Sequence, residues 1–249
     1  MSRPAPWPRA VRAQLAMELR LTSRRGENLL AVAVIPAAVL LFFTSTALVT
    51  VPGERPVDFL LPGALTLAVI ATGLVNLGIA TAYERSYGVL KRLGGSPLGR
   101  SGLVAAKIGS VGAIVVIQVV VLFAVAILVL GWTPATGWSP VLAVGALVLG
   151  TVTFAALGLV LAGTLRAEAT LALANALFLA AMLLGGIIVP TSGLPAPLAS
   201  VADLLPAAAL SSALRVAFGD AGDVIAPVAV LAAWGIGAIA LAVRMFRWD

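Results

Sequence analysis

The sequence predicts an all-α, polytopic membrane protein of six transmembrane helices, and three observations carry the prediction. Hydrophobic residues make up 61% of the chain and charged residues 10%, with a mean hydropathy of +1.11, against about 25% charged residues in a soluble domain. A soluble fold has no interior able to hide that much apolar surface, so the solvent must be lipid. Six charge-free apolar stretches follow one another along the chain, each long enough to cross ~30 Å of hydrocarbon at about 1.5 Å per residue. The basic residues fall almost entirely on alternate sides of those stretches.

The elements can be taken in order. Residues 1–28 form an N-terminal segment in which Val11, Leu15 and Leu19 recur at i, i+4 and i+8, the stripe of an amphipathic helix over 8–24. Arg9, Arg12, Arg20 and Arg24 lie on a neighbouring arc suited to lipid phosphates. The transmembrane domain occupies 29–243, with spans at 29–51, 59–80, 108–131, 141–165, 169–189 and 224–243. The first span is too long for the apolar region of a secretory signal and lacks a cleavage site. Small residues four apart (Ala146 with Gly150, Gly158 with Ala162, Ala233 with Gly237) suit close helix packing. Trp132 and Trp138, between spans three and four, suit a headgroup layer. Residues 190–223 are too polar and proline-broken to cross, yet apolar enough to dip into the membrane from outside as re-entrant helices. A C-terminal tail covers 244–249.

Placing the N-terminus in the cytoplasm puts 14 basic and five acidic residues on the inner side, a net +9. The outer side then holds Arg55 and Arg215 with five acids, a net −3. With six spans, both termini are cytoplasmic. The +6 net charge is spread along one membrane face with no nucleic-acid motif, so membrane lipid rather than nucleic acid is its expected partner. The preponderance of Arg over Lys, with abundant Ala, Gly and Val, suggests a GC-rich bacterial genome and hence a bacterial cytoplasmic membrane.

Chemistry is bounded mainly by what the chain lacks. There is no Cys and no His, which removes disulfides, thiol catalysis, zinc-protease motifs and a serine–histidine pair. The six expected spans contain no ionisable residue, where proton- and voltage-driven machines need them. Asn76, Gln118 and Asn175 are the notable intramembrane polar residues. They are either interhelical hydrogen-bonding partners or the lining of a substrate path. Neither Lys91, followed by Arg92, nor Lys107, followed by Ile108, fits a nucleotide-binding P-loop. The chain is therefore expected to be no enzyme, with no catalytic residues, no metal site and no cofactor of its own. If it transports actively, its motor is a separate polypeptide.

The loop after the second span reads Tyr83-Glu84-Arg85-Ser86-Tyr87-Gly88-Val89-Leu90-Lys91-Arg92-Leu93-Gly94-Gly95-Ser96-Pro97. Physically it is a short amphipathic helix, with Leu90 and Leu93 at i and i+3, broken by a Gly-Gly-Ser-Pro turn. The run resembles the coupling signature of ABC-2 permeases, the daunorubicin-resistance-like multidrug exporters in particular. Tyr83, Glu84, Arg85, Gly88, Leu90, Arg92, Leu93, Ser96 and Pro97 match it at unbroken spacing. Ser86 and Val89 depart from its usual residues. A second block, Gly185-Gly186-Ile187-Ile188-Val189-Pro190 followed by Pro195, Pro206 and Arg215, resembles the family's final third, where short re-entrant helices precede the sixth span.

The resemblance implies an ABC-2, type V exporter-like fold. It also implies an exporter permease for a hydrophobic or amphipathic compound (drug-like molecule, lipid or lipid-linked glycan). Two ATPase subunits holding ATP and Mg dock beneath a pair of permeases, the second being identical or paralogous. In that reading Glu84 and Arg85 orient the loop at the membrane junction. Leu90 and Leu93 supply apolar contacts to the ATPase, and Lys91 and Arg92 polar ones. The rival classes are an ATP-independent channel or sodium-coupled carrier, and a non-transporting membrane scaffold.

Overall fold

A computed structural model describes residues 6–24, 26–46, 55–94, 98–188 and 195–245, with backbone alone over 26–33. Among these the regular structure is helical throughout. The N-terminal helix α1, Trp7–Arg24, turns a half-buried face of Ala10, Val11, Gln14, Leu15, Glu18, Leu19 and Thr22 to the bundle, leaving its four arginines exposed. That spacing of three and four is the amphipathic stripe expected from the sequence, and here it lies against protein. Helix α2, Gly26–Ser45, has 20 residues and so spans about 30 Å. The expected extension of this span to residue 51 lies outside the described residues.

The second span departs from expectation. Helix α3, Pro56–Ile70, runs through a π turn at Ala71–Asn76 into α4, Leu77–Ser86. The result is one continuous helix of 31 residues, the most enclosed of the bundle's spans. Pro56 opens it, where a missing N–H costs nothing. Tyr83, Glu84 and Arg85 therefore end the span's own helix and do not begin a separate loop helix. The loop helix is α5, Val89–Gly94, reached through a turn in which Gly88 takes φ +72°, a conformation that favours glycine.

Helix α6, Gly99–Leu128, starts nine residues before the expected span and so includes Lys107. Helix α7, Pro140–Thr164, is the central helix, touching α4, α6, α8, α10, α11 and the π turn. Its glycines permit this. A Cβ on Gly158 would lie 2.4 Å from the Gly73 carbonyl oxygen, and one on Gly150 2.6 Å from Leu210. Ala233 and Gly237 on α11, Ile225–Met245, behave otherwise: both are exposed, and Gly235 is the glycine that meets α7, at Thr153.

Helix α8, Ala167–Leu184, follows, and then α9, Ala196–Ala202, and α10, Pro206–Phe218, bent by 83° at their junction. At about 20 Å, α10 is too short to cross. Ten of its 13 residues are buried, and its Ala217 carbonyl accepts from the Ser139 amide beside the start of α7. The chain thus enters and leaves this pair at one end of the bundle, which makes it re-entrant. Trp132 is enclosed by protein side chains. It is 3% exposed and packs against Phe123, Trp138 and Phe218.

Candidate functional site

At the end of the bundle that carries α1, three helices converge on one cation. Lys107 of α6 is 1% exposed, and its Nζ lies 2.8 Å from Glu84 Oε2 on α4 and 3.1 Å from Glu18 Oε1 on α1. Gln14 Nε2 donates to the same Glu18 oxygen at 2.8 Å. A buried ammonium is tolerated only when paired and hydrogen-bonded, and here both carboxylates supply that. Lys107 lies eight residues in from Gly99, about 12 Å along the helix. It is close to the surface helix and far from mid-depth. Lys107 stands one residue before the third span expected from the sequence, within the same helix.

The next residue of the motif makes a second tie. Arg85 donates to the Leu165 carbonyl, the C-cap of α7, where a cation meets both an unpaired carbonyl and the negative end of the helix dipole. Tyr83 packs on the cluster of Ala82, Ala162 and Ala167, with its ring 6.1 Å from that of Tyr87. Glu84 and Arg85 thus lock the end of the long span to α1, α6 and the α7–α8 junction.

The short helix beyond them presents a surface. Tyr87 is 75% and Val89 43% exposed, and Lys91 and Arg92 are exposed beside them. Leu90 corrects the sequence reading. It is fully buried within the chain and belongs to the main apolar cluster, so its apolar contact is intramolecular. Leu93 is half-buried. Ser96 and Pro97 lie outside the described residues.

The three intramembrane polar residues do not converge. Gln118 is buried and accepts from Thr72 Oγ1 in the π turn at 3.0 Å. Asn76 closes that turn and is half-buried. Asn175 is exposed on α8 and donates to the Leu171 carbonyl of its own helix. At the opposite end of the bundle, Pro195 precedes α9 and Pro206 begins α10, while Pro190 lies outside the described residues. Arg215 of α10 donates to the Gly186 carbonyl at 2.5 Å and the Phe59 carbonyl at 3.2 Å, with its guanidinium 3.5 Å from the Phe59 ring centroid. Nearby, Arg55 pairs with Asp58 at 2.8 Å, a hydrogen bond that raises the guanidinium further above its ordinary value. Asp220 is exposed as a residue, yet desolvation holds its carboxyl above the ordinary value, against the opposing pull of Arg215.

Sequence reasoning missed Lys107 and Glu18. Two signals marked them: Glu18 sits between Leu15 and Leu19 on the inward face of α1, and Lys107 follows the apolar run Leu103-Val104-Ala105-Ala106. Among the described residues no group of three acids is placed to hold a metal ion. What the arrangement can do is mechanical. It joins the surface helix α1 to the ends of α4, α6 and α7 through Lys107, its two carboxylates and Arg85, charges shielded from water mainly at Lys107. Compared with known proteins, residues 9–218 match the family model described as ABC-2 type transporter. No curated protein matches the chain.

Proposed function

The chain belongs to the ABC-2 type transporter family, which makes it the multi-pass permease component of an ABC transporter, and on that premise we propose that it is driven through the Glu18–Lys107–Glu84 cluster. The α1 end of the bundle faces the cytoplasm of a bacterial cell, as the one-sided placement of basic residues supports. Two copies of an ATPase, carrying ATP and Mg, dock there, one beneath each of two permeases. A second permease, identical or paralogous, packs on α8. That helix is buried mainly along Ala167, Thr170, Ala174 and Ala181, and it exposes Leu171, Leu177 and the amide of Asn175. A polar amide on a lipid-facing span favours a helix partner.

The observation that carries the reading is the cluster itself, because it ties α4, the helix that leads directly into the exposed short helix, to α6 and α1 through charge. Tyr87 and Val89 form an apolar knob, with Lys91 and Arg92 as a basic rim. Such a surface fits an apolar cleft with an acidic edge on the ATPase. Closure of the ATPase pair on ATP pushes the knob. Glu84 and Arg85 pass the displacement to α6, α1 and the α7–α8 junction, and the span that ends at Ser86 carries it across the membrane. ATP acts by binding one state better than the other. The bundle is predominantly apolar, which supports a hydrophobic or amphipathic cargo moving outward. The match of the coupling motif to drug-exporting members favours drug-like molecules over lipids and lipid-linked glycans.

The test is co-purification of the ATPase with the permease in mild detergent. Tyr87→Asp with Val89→Asp is expected to abolish recovery of ATPase activity while leaving the permease folded. Undiminished recovery and transport would sink the assignment.

A further inference from the structure

We propose that Arg215 is a positioning residue that clamps the connector 185–188 onto the outer end of the long span, and that its release opens an exit there. The inference rests on the permease reading for its meaning. Its observations come from the opposite end of the bundle and involve different residues.

The connector is held from two sides. From α10, the planar guanidinium of Arg215 reaches two carbonyls at once, Gly186 and Phe59, and stacks on the Phe59 ring. This is a combination that a fork of five donors can make and a point charge cannot. Ser211, one turn earlier, adds its hydroxyl to the same Gly186 oxygen at 3.3 Å. From α3, Gly63 lets the connector lie directly on the helix, since a Cβ there would be 2.3 Å from the Ile187 carbonyl oxygen. Gly186 takes φ +64° to make the turn. Ile187 is left 3% exposed.

Two consequences give the clamp a role. Ile187 and Ile188 wall one side of an apolar cleft between α2 and α3, whose other walls include Val39, Phe43, Leu60 and Leu67. Lifting the connector removes that wall and joins the cleft to the outer surface. Phe59 and Glu84 also belong to the same unbroken helix. A displacement delivered at Glu84 therefore moves the Phe59 carbonyl and ring against Arg215, which is fixed on a different, deeply buried helix. The inner cluster and the outer clamp are the two ends of one rod.

The chain has no cysteine, so Ile187→Cys gives a single reporter thiol. The experiment measures its rate of reaction with a hydrophilic maleimide in full-length permease reconstituted in nanodiscs, without ATPase or transported compound. Failure of the docking assignment therefore leaves this result intact, and the reverse holds as well. With Arg215 present the thiol is expected to react slowly. Arg215→Gln should accelerate it by tenfold or more, and Arg215→Lys, which keeps the cation and one carbonyl bond, should restore most of the protection. Ala156→Cys, fully buried in α7, reports the fold and should stay unreactive in each background. An unchanged Ile187→Cys rate in Arg215→Gln overturns the proposal. If Ala156→Cys also reacts, the decision passes to Phe59→Leu, which removes the stacking face and keeps the carbonyl. A several-fold acceleration supports the clamp, and none overturns it.

Discussion

Removing the cation of the inner cluster should cost more than removing the cluster. In Lys107→Met the side-chain volume is nearly kept, but Glu18 and Glu84, 13% and 30% exposed, are left facing each other. Their oxygens can be at most about 6 Å apart, and two like charges at that separation repel by about 3 kcal/mol at an effective dielectric of 20. Breaking a buried pair by removing one partner typically costs ~3–5 kcal/mol. The partial exposure of Glu84 lets it turn toward water, so we expect about 3 kcal/mol, at the lower end. Replacing the whole cluster, Lys107→Met with Glu18→Gln and Glu84→Gln, removes the uncompensated charge and should recover most of that loss. The assay is unfolding in mixed micelles followed by tryptophan fluorescence, paired with ATPase stimulation in the co-purified complex. The triple variant is expected to be stable yet poorly coupled. If it is as unstable as the single variant, Lys107 acts by packing and the electrostatic argument is wrong. If it couples normally, the cluster does not transmit the motor's displacement.

Three further outcomes follow from the packing. Gly158→Ala drives a Cβ to within 2.4 Å of the Gly73 oxygen, backbone against backbone. It should lose about 3 kcal/mol in the same unfolding assay, whereas Gly237→Ala, which meets open space, should stay within about 0.5 kcal/mol of the parent. A double-mutant cycle of Thr72→Val and Gln118→Leu should return a coupling near ~0.6 kcal/mol, the usual worth of an interhelical hydrogen bond in a membrane. A value of zero would remove that bond from the structure. Asn175→Leu should weaken self-association of the permease, read as loss of chemically cross-linked dimer, while leaving the monomer's unfolding midpoint unchanged.

What the sequence made legible depended on what hydropathy can register. Long apolar runs announced the spans, and the amphipathic stripe of α1 was visible because Val11, Leu15 and Leu19 keep helical spacing against four arginines. The re-entrant pair was legible from its prolines. Hydropathy does not register where a helix begins before it turns apolar. It placed Lys107 in a loop, when the helix starting at Gly99 takes that residue into the protein. Nor does it register a partner supplied from far along the chain. Glu18 counted only as one more acid on the inner side, while its partner Lys107 stands on another helix. The burial of Leu90 was not legible, because its spacing with Leu93 marks an apolar face without saying what covers it, and the π turn left no mark because its residues are compatible with an ordinary helix.

That π turn has a consequence for the length of the chain. A π turn holds one residue more than an α-helix needs, so losing a single residue from Ala71–Asn76 would leave a regular helix intact. The two halves of the span would also keep nearly their present rotation, because five steps of the wider turn sweep about the same angle as four ordinary ones. A residue lost from the regular helix of α3 has no such slack and would rotate everything beyond it by about 100°. Glu84 would then swing off Lys107, Arg85 off the α7 cap, and Gly78 off its seat against Gly158. The π turn is therefore a length buffer: it can give up a residue while the ties at the α1 end keep their register, although Gly73 within it, whose Cβ would lie 2.8 Å from the Ala155 amide nitrogen, has no room for a larger side chain.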